Sequence, residues 1–89
     1  MSAARVEIYT RRRCPRCTFA RQLLDRKGIA YVEHALEAGP DVRVMMRVRT
    51  GSNTAPQILI DGRALGGCDA LHLEEQRGAL DRILARARN

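Results

Sequence analysis

The chain is poor in aromatic residues, in lysine and in cysteine, and it has no long apolar run. Of its 89 residues only Tyr9, Phe19 and Tyr31 are aromatic, which leaves few rings to stack on nucleic-acid bases. Lys27 is the only lysine, so nearly all of the positive charge is arginine. Sixteen basic residues against ten acidic ones give a net charge of +6. That excess points to anionic partners: nucleic acid, an acidic protein face or a small anion. The arginines are scattered among acids and no nucleic-acid-binding motif accompanies them, so nucleic acid is not expected as the partner. No stretch approaches the roughly eighteen apolar residues of a membrane span. Met1-Ser2-Ala3-Ala4-Arg5 carries no apolar segment of a secretory leader. A cytoplasmic protein without a membrane partner is expected, and in a reducing compartment three cysteines do not build a structural disulfide framework. There is no internal repeat and no linker. The length suits one domain over residues 1–89, and the 45% hydrophobic content argues against disorder.

What is present is an ordered alternation of patterns. Arg5 to Thr10 reads as a strand, with Val6 and Ile8 on one side and Glu7 and Tyr9 on the other. Arg11-Arg12-Arg13 is too charged to bury and reads as a loop. Pro15 suits a first helical turn, where its missing N–H costs nothing. From Cys17 the spacing is helical: Cys17, Ala20 and Leu24 align, with Phe19 and Leu23 widening the stripe. Gly28 after Arg26-Lys27 ends that helix. Ile29 to His34 reads as a second strand, and Glu37 to Asp41 as a connection. Helical spacing returns at Val42, Met45, Met46 and Arg49 and closes at Gly51. Ile58-Leu59-Ile60 is a continuous apolar run, as in a strand covered on both faces. Asp61-Gly62 signals a hairpin, with Arg63 to Leu65 returning. Gly66-Gly67 breaks that strand and Asp69 starts the last helical region. Leu71, Leu73, Leu80, Ile83 and Leu84 supply its buried side, and Gly78 kinks or divides it. Met45 and Met46 read as core filling. His34 and His72 have no visible partners and read as surface or strand-end residues. Arg82, Arg86 and Arg88 read as a solvated helix face.

The order β-α-β-α-β-β-α predicts an α/β fold. Strands joined through a helix are parallel with a right-handed crossover, and the hairpin makes the last pair antiparallel. The result is a mixed four-stranded sheet with helices on both faces.

The chemistry concentrates in Cys14-Pro15-Arg16-Cys17. Two cysteines separated by two residues, at a strand-to-helix junction, read as a redox pair. The thiolate is the nucleophile, and a helix N-terminus with nearby cations favours it. Cys14 stands at that terminus, with Arg11, Arg13 and Arg16 to add positive potential. Cys17 lies one turn in and is expected to be more buried. Cys14 is therefore the attacking thiol and Cys17 the resolving one. The competing readings are half of a zinc site or two idle core cysteines. Zinc asks for four ligands, and only Cys68, His34 and His72 remain, at no usual spacing; no metal is expected.

Together these segments resemble a bacterial dithiol glutaredoxin of the thioredoxin fold. The resemblance runs from about Val6 to Leu84. It rests on Val6-Glu7-Ile8-Tyr9-Thr10 leading into Cys14-Pro15-Arg16-Cys17, on Thr54-Ala55-Pro56-Gln57-Ile58, and on Ile60-Asp61-Gly62 followed by Gly66-Gly67-Cys68-Asp69. It implies disulfide–dithiol exchange on oxidised or glutathionylated proteins, glutathione as reductant, and a cis bond before Pro56. A monomer is expected. Three positions depart from the family: Arg16 where an aromatic is common, Ala55 in place of valine, and Ala70 in place of a second acid.

The resemblance also implies a glutathione site. It includes Arg11, Pro15, Arg16, Thr54, Ala55, Pro56, Gly67, Cys68 and Asp69. Ala55 would pair with the tripeptide as a short added strand; the plainer reading is a loop entering a core strand. Gly67-Cys68-Asp69 at a helix N-terminus would hold the γ-glutamyl carboxylate, with Asp69 also capping the helix; the plainer reading is capping alone. Arg11 would attract the glycyl carboxylate, or is a solvated loop charge. Cys68 is read as a backbone contributor rather than a third redox thiol. Outside the glutathione-dependent enzyme, the competing functions are a redoxin served by thioredoxin reductase, a carrier of an iron–sulfur cluster ligated through Cys14 and glutathione, and an arginine-rich nucleic-acid adaptor.

Overall fold

Four short strands form the centre of the computed structural model, which describes residues 4–87. They are β1 (Val6–Thr10), β2 (Val32–Ala35), β3 (Gln57–Ile60) and β4 (Arg63–Gly66). Their spatial order is β2-β1-β3-β4, with β1 parallel to β2 and antiparallel to β3. The helices are α1 (Pro15–Arg26), α2 (Pro40–Thr50), α3 (Cys68–Gln76) and α4 (Leu80–Ala87), and a single 3-10 turn covers Leu36–Ala38. This is the expected mixed four-stranded, thioredoxin-like sheet. Gly78 adopts φ 71° and divides α3 from α4.

The alternation along β1 sends its side chains to two different cores, because successive strand residues point to opposite faces. Val6 and Ile8 join Ile58 and Ile60 under Ala20, Leu23 and Leu24 of α1, Leu71 of α3 and Leu80 of α4. Tyr9 joins Leu59, Leu36 and Met46 of α2. A strand covered on both faces buries even its polar positions, and all five residues of β1 are buried. Asp61 and Gly62 both have positive φ, 49° and 82°, as a two-residue hairpin turn between twisted strands requires. The Asp61 carboxylate accepts the Arg5 N–H at 2.6 Å, tying that turn to the start of β1.

Several elements differ from the sequence reading. Strand β2 is shorter than Ile29 to His34 and runs later, because Ile29 and Tyr31 pack inward on the α1 side before the chain joins the sheet edge. Phe19, Met45 and Leu73 are exposed: each lies at the margin of its helical stripe, beyond the reach of the sheet. Met46 alone of the methionine pair fills the core. Arg82 and Arg86 are exposed as expected, while Arg88 lies outside the described residues.

His34 is not an unpartnered strand-end residue. Its Nε2 lies 3.0 Å from Glu7 Oε1, and its ring stacks on Tyr9 with centroids 4.7 Å apart. Arg49 of α2 closes the same cluster. Its guanidinium grips the Glu7 carboxylate in two bonds, at 2.9 and 2.8 Å, and donates to the Tyr9 hydroxyl at 3.1 Å. The Arg49 fork, helped by His34, outweighs burial and holds the Glu7 carboxyl down to about 2. A fork-to-carboxylate bond of this kind is directional as well as strong. It clamps α2 to the central strand beside the packing of Met46 on Tyr9.

Candidate active site

Cys14 is the N-cap of α1. Its backbone is extended, at φ −119° and ψ 98°, and its Sγ accepts the Cys17 N–H at 3.1 Å. The cap position is ordinarily filled by a side-chain oxygen; here sulfur takes that place, and Pro15 follows where no N–H is needed. Cys14 and Cys17 are joined as a disulfide. Cys14 keeps 6% of its surface exposed and Cys17 none, so the two sulfurs differ in access as their spacing predicts.

The loop before Cys14 is built by carboxylates. The Arg12 N–H donates to both Glu37 oxygens, at 3.0 and 3.2 Å. The Thr10 hydroxyl and the Arg21 guanidinium both donate to Glu33 Oε2, at 2.7 and 3.0 Å. Arg13 adopts φ 52°, a left-handed conformation uncommon outside glycine. Arg11, Arg12 and Arg13 are all exposed. They share with Cys14 and Pro15 the wall of a groove of about 720 Å³.

A second wall comes from the loop before β3. Buried Gln57 donates to the Thr54 carbonyl at 2.8 Å and to Ser52 Oγ at 3.3 Å. Ser52 Oγ also accepts the Thr54 N–H at 3.1 Å. The loop is thus ordered from within, and its Ala55–Pro56 peptide bond is cis, as the resemblance implies. Thr54 is exposed, Ala55 half-buried and Pro56 buried.

The third segment, Gly66 to Asp69, meets this loop. A Cβ on Gly67 would stand 3.1 Å from the Pro56 carbonyl oxygen, so a glycine there lets the two backbones approach. Gly67, not Asp69, is the N-cap of α3, and no side chain caps that helix. Asp69 therefore does not have the capping role predicted for it. Its carboxylate instead faces Arg16 across the gap, at 3.5 Å, with both side chains exposed. Burial, reinforced by the Asp69 carboxylate, pushes the Cys68 thiol up, with Arg16 opposing. Burial thus works against thiolate formation at Cys68. His72, read as unpartnered, places Nδ1 2.9 Å from the Cys68 carbonyl oxygen and 3.4 Å from its sulfur.

The structure thus joins Pro56 to Gly67 and Arg16 to Asp69, with Arg11 on the groove side of Cys14. Among the described residues no group of three or more His, Cys, Asp or Glu side chains is placed to hold a metal ion, and no helix is long and apolar enough to cross a membrane. A second hollow, of about 520 Å³ beside β4 and α4, has neither redox cysteine in its walls. Sequence reasoning missed the carboxylates that shape the site, Glu33 and Glu37, and the loop-ordering Gln57. Only Gln57 left a signal, as a polar residue at the head of a continuous apolar run.

The glutaredoxin family model matches residues 6–65. A glutaredoxin of Pseudomonas aeruginosa is 45% identical over 80 residues, covering 90% of this chain and 95% of its own. Glutaredoxin 3 of Escherichia coli K12 is 43% identical over 81 residues, covering 91% and 98%. Among solved structures, the glutaredoxin of Brucella melitensis superposes with a TM-score of 0.81 at 45% identity, over 94% of this chain and 91% of its own. Glutaredoxin C1 of Populus tremula x tremuloides, in its holo form, gives 0.83 at 30% identity over 94% and 86%. With a dithiol at the head of its first helix and relatives matched over nearly their whole length, this chain belongs to the glutaredoxin family.

Proposed function

We propose that the protein is a glutathione-dependent thiol–disulfide oxidoreductase with Cys14 as nucleophile and Cys17 as resolving thiol. The observation that carries this reading is the 3.1 Å bond from the Cys17 N–H to the Cys14 sulfur at the head of α1. Once the disulfide is reduced, that donor and the helix terminus favour negative charge on Cys14. Cys17, fully buried, is kept from outside disulfides yet lies within reach of Cys14.

The reaction runs by exchange. The Cys14 thiolate attacks the glutathione sulfur of a glutathionylated protein. A new sulfur–sulfur bond forms, the old one breaks, and the protein leaves as a thiolate that takes a proton. A second glutathione, as thiolate, then attacks that bond; it releases glutathione disulfide and returns Cys14 to its starting state. With a protein disulfide, Cys17 attacks the mixed bond on Cys14 instead. This frees the reduced protein and leaves the Cys14–Cys17 disulfide for two glutathione molecules to reduce.

The tripeptide is assigned to Thr54, Ala55 and Pro56 on one side and to Gly67, Cys68 and Asp69 on the other, with Pro15 and Arg16 between them and Arg11 for its glycyl carboxylate. Support comes from the close approach at Gly67, which brings these two segments beside each other. A buckwheat relative is known as a glutaredoxin–glutathione complex; at 24% identity and a TM-score of 0.83 it shares the fold.

The test is turnover of a glutathionylated peptide, coupled to glutathione reductase, in wild type and both cysteine variants. Cys14→Ser is expected to be inactive. Cys17→Ser is expected to keep deglutathionylation while losing reduction of protein disulfides. A Cys17→Ser protein dead on the glutathionylated peptide would overturn the assignment of roles.

A further inference from the structure

The groove beside Cys14 shares Arg11 and Pro15 with the proposed tripeptide site. Its other walls include Arg12, Arg13, Arg21, Glu33 and Glu37, and none of Thr54, Ala55, Pro56, Gly67, Cys68 or Asp69. Its charges are not equal. Arg21 is paired with Glu33 at 3.0 Å and Arg12 approaches Glu37 at 4.0 Å. Arg11 donates only to the Arg12 carbonyl, at 3.5 Å. Among the described residues Arg13 has no ion-pair or hydrogen-bond partner for its guanidinium.

Arg11 and Arg13 line the same groove as Cys14. Elsewhere five cations are matched: Arg5 and Arg49 meet Glu7, Arg16 meets Asp69, Lys27 meets Glu75 and Asp81, and Arg77 meets Glu74. Among the described residues Arg26, Arg43, Arg47, Arg63, Arg82 and Arg86 are also without an ion pair, but none of them lines the groove with Cys14. The backbone of this loop is fixed, because Glu37 accepts the Arg12 N–H and Arg13 takes a left-handed conformation. With Arg11 assigned to the tripeptide, Arg13 is a cation without a partner next to Cys14 in sequence, over a groove large enough for several side chains, and makes an electrostatic seat for the other half of a disulfide.

We propose that this groove receives the protein half of the substrate and selects disulfides flanked by acidic residues, with Arg13 as a specificity-determining residue. This rests on the exchange reaction assigned to Cys14 above. Recognition is by charge complementarity, which acts mainly on encounter and weakens as salt rises.

The experiment compares three glutathionylated peptides of equal length, with two aspartates, two asparagines or two lysines flanking the cysteine. The readout is kcat/KM in wild type, Arg13→Gln and Arg13→Glu. One close charge pair in a water-like medium is worth about fivefold. The aspartate peptide is therefore expected to exceed the lysine peptide by about tenfold or more at low salt. That ratio is expected to collapse toward unity at about 0.5 M salt. Arg13→Gln should lower the ratio and Arg13→Glu should lower it further. The ratio cancels any change in Cys14 ionisation, which the peptides share. A wild-type ratio near one, with the asparagine peptide turned over normally, would overturn the proposal and leave the exchange reaction standing. So would a ratio unmoved by Arg13→Glu. Failure on all three peptides would remove the exchange reaction, and the proposal with it.

Discussion

Two arginine clusters lie on this small sheet, and the contrast between them is instructive. On the α2 side, Arg49 is sunk against Glu7, His34 and Tyr9, and both Glu7 carboxylate oxygens are hydrogen-bonded. At the end of the same strand, Arg11 and Arg13 are exposed and meet no carboxylate among the described residues. The residue type is shared, but the geometry differs. A guanidinium that meets a buried carboxylate in two bonds fixes a helix to a sheet. A guanidinium left unpaired beside a reactive sulfur projects its field outward. Compensated charge holds the molecule together; uncompensated charge faces whatever it meets.

The sharpest way to break the comparison is on the compensated side. Arg49→Met leaves the Glu7 carboxylate buried without its main partner, which is expected to cost about 3 kcal/mol of stability in denaturant titration. The activity of the folded fraction should be unchanged. Destabilisation below about 1 kcal/mol would show that the cluster does not clamp α2.

Acid should have a similar effect. The folded-state Glu7 carboxyl lies at about 2, below the ordinary 4.5. A depressed carboxyl contributes stability above its unfolded value, and the contribution is lost as pH falls through the folded one. Stability is therefore expected to drop between about pH 5 and pH 2, by up to about 3 kcal/mol. In Glu7→Gln this acid-side slope should be clearly shallower. An equal slope in wild type and Glu7→Gln would assign acid sensitivity to other carboxylates.

On the uncompensated side the expected effects are smaller and fall on reactivity. Neutralising Arg11 and Arg13 together to glutamine should slow iodoacetamide alkylation of reduced Cys14 at pH 6 by a few-fold, with stability within about 0.5 kcal/mol of wild type. An unchanged alkylation rate would mean that the helix terminus alone sustains the thiolate. The smallest change is expected from Arg16→Gln. Its exposed pair with Asp69 contributes about 0.5 kcal/mol or less to stability, while the KM for glutathione should shift if the tripeptide lies between them. A KM equal to wild type would place the tripeptide elsewhere.

Much of the active site was legible in the chain because its signals are local. Cys14-Pro15-x-Cys17 after an apolar strand encodes a cysteine pair, a helix start and a buried second sulfur within four residues. Thr54-Ala55-Pro56 and Gly66-Gly67 are likewise short, and each depends on backbone chemistry that proline and glycine announce. The glutamates that shape the loop before Cys14 were not legible. Glu33 and Glu37 are ordinary acids in a segment of strand and connection, and only the crossover from α1 brings them under Thr10 and Arg12. His34 and Arg49 were obscure for the same reason, since they are 27 and 42 residues from Glu7. Asp69 misled because an acid in a first helical turn usually serves the helix, and here Arg16 lies across the gap.

Periodicity, turn residues and the cysteine spacing by themselves determined the order of elements, the mixed sheet and the position of the reactive sulfur, since each follows from interactions within a few residues. Tertiary structure alone decided which charges are matched and which are free. Pairing depends on distances across the sheet and between loops, and those distances exist only once the chain has folded.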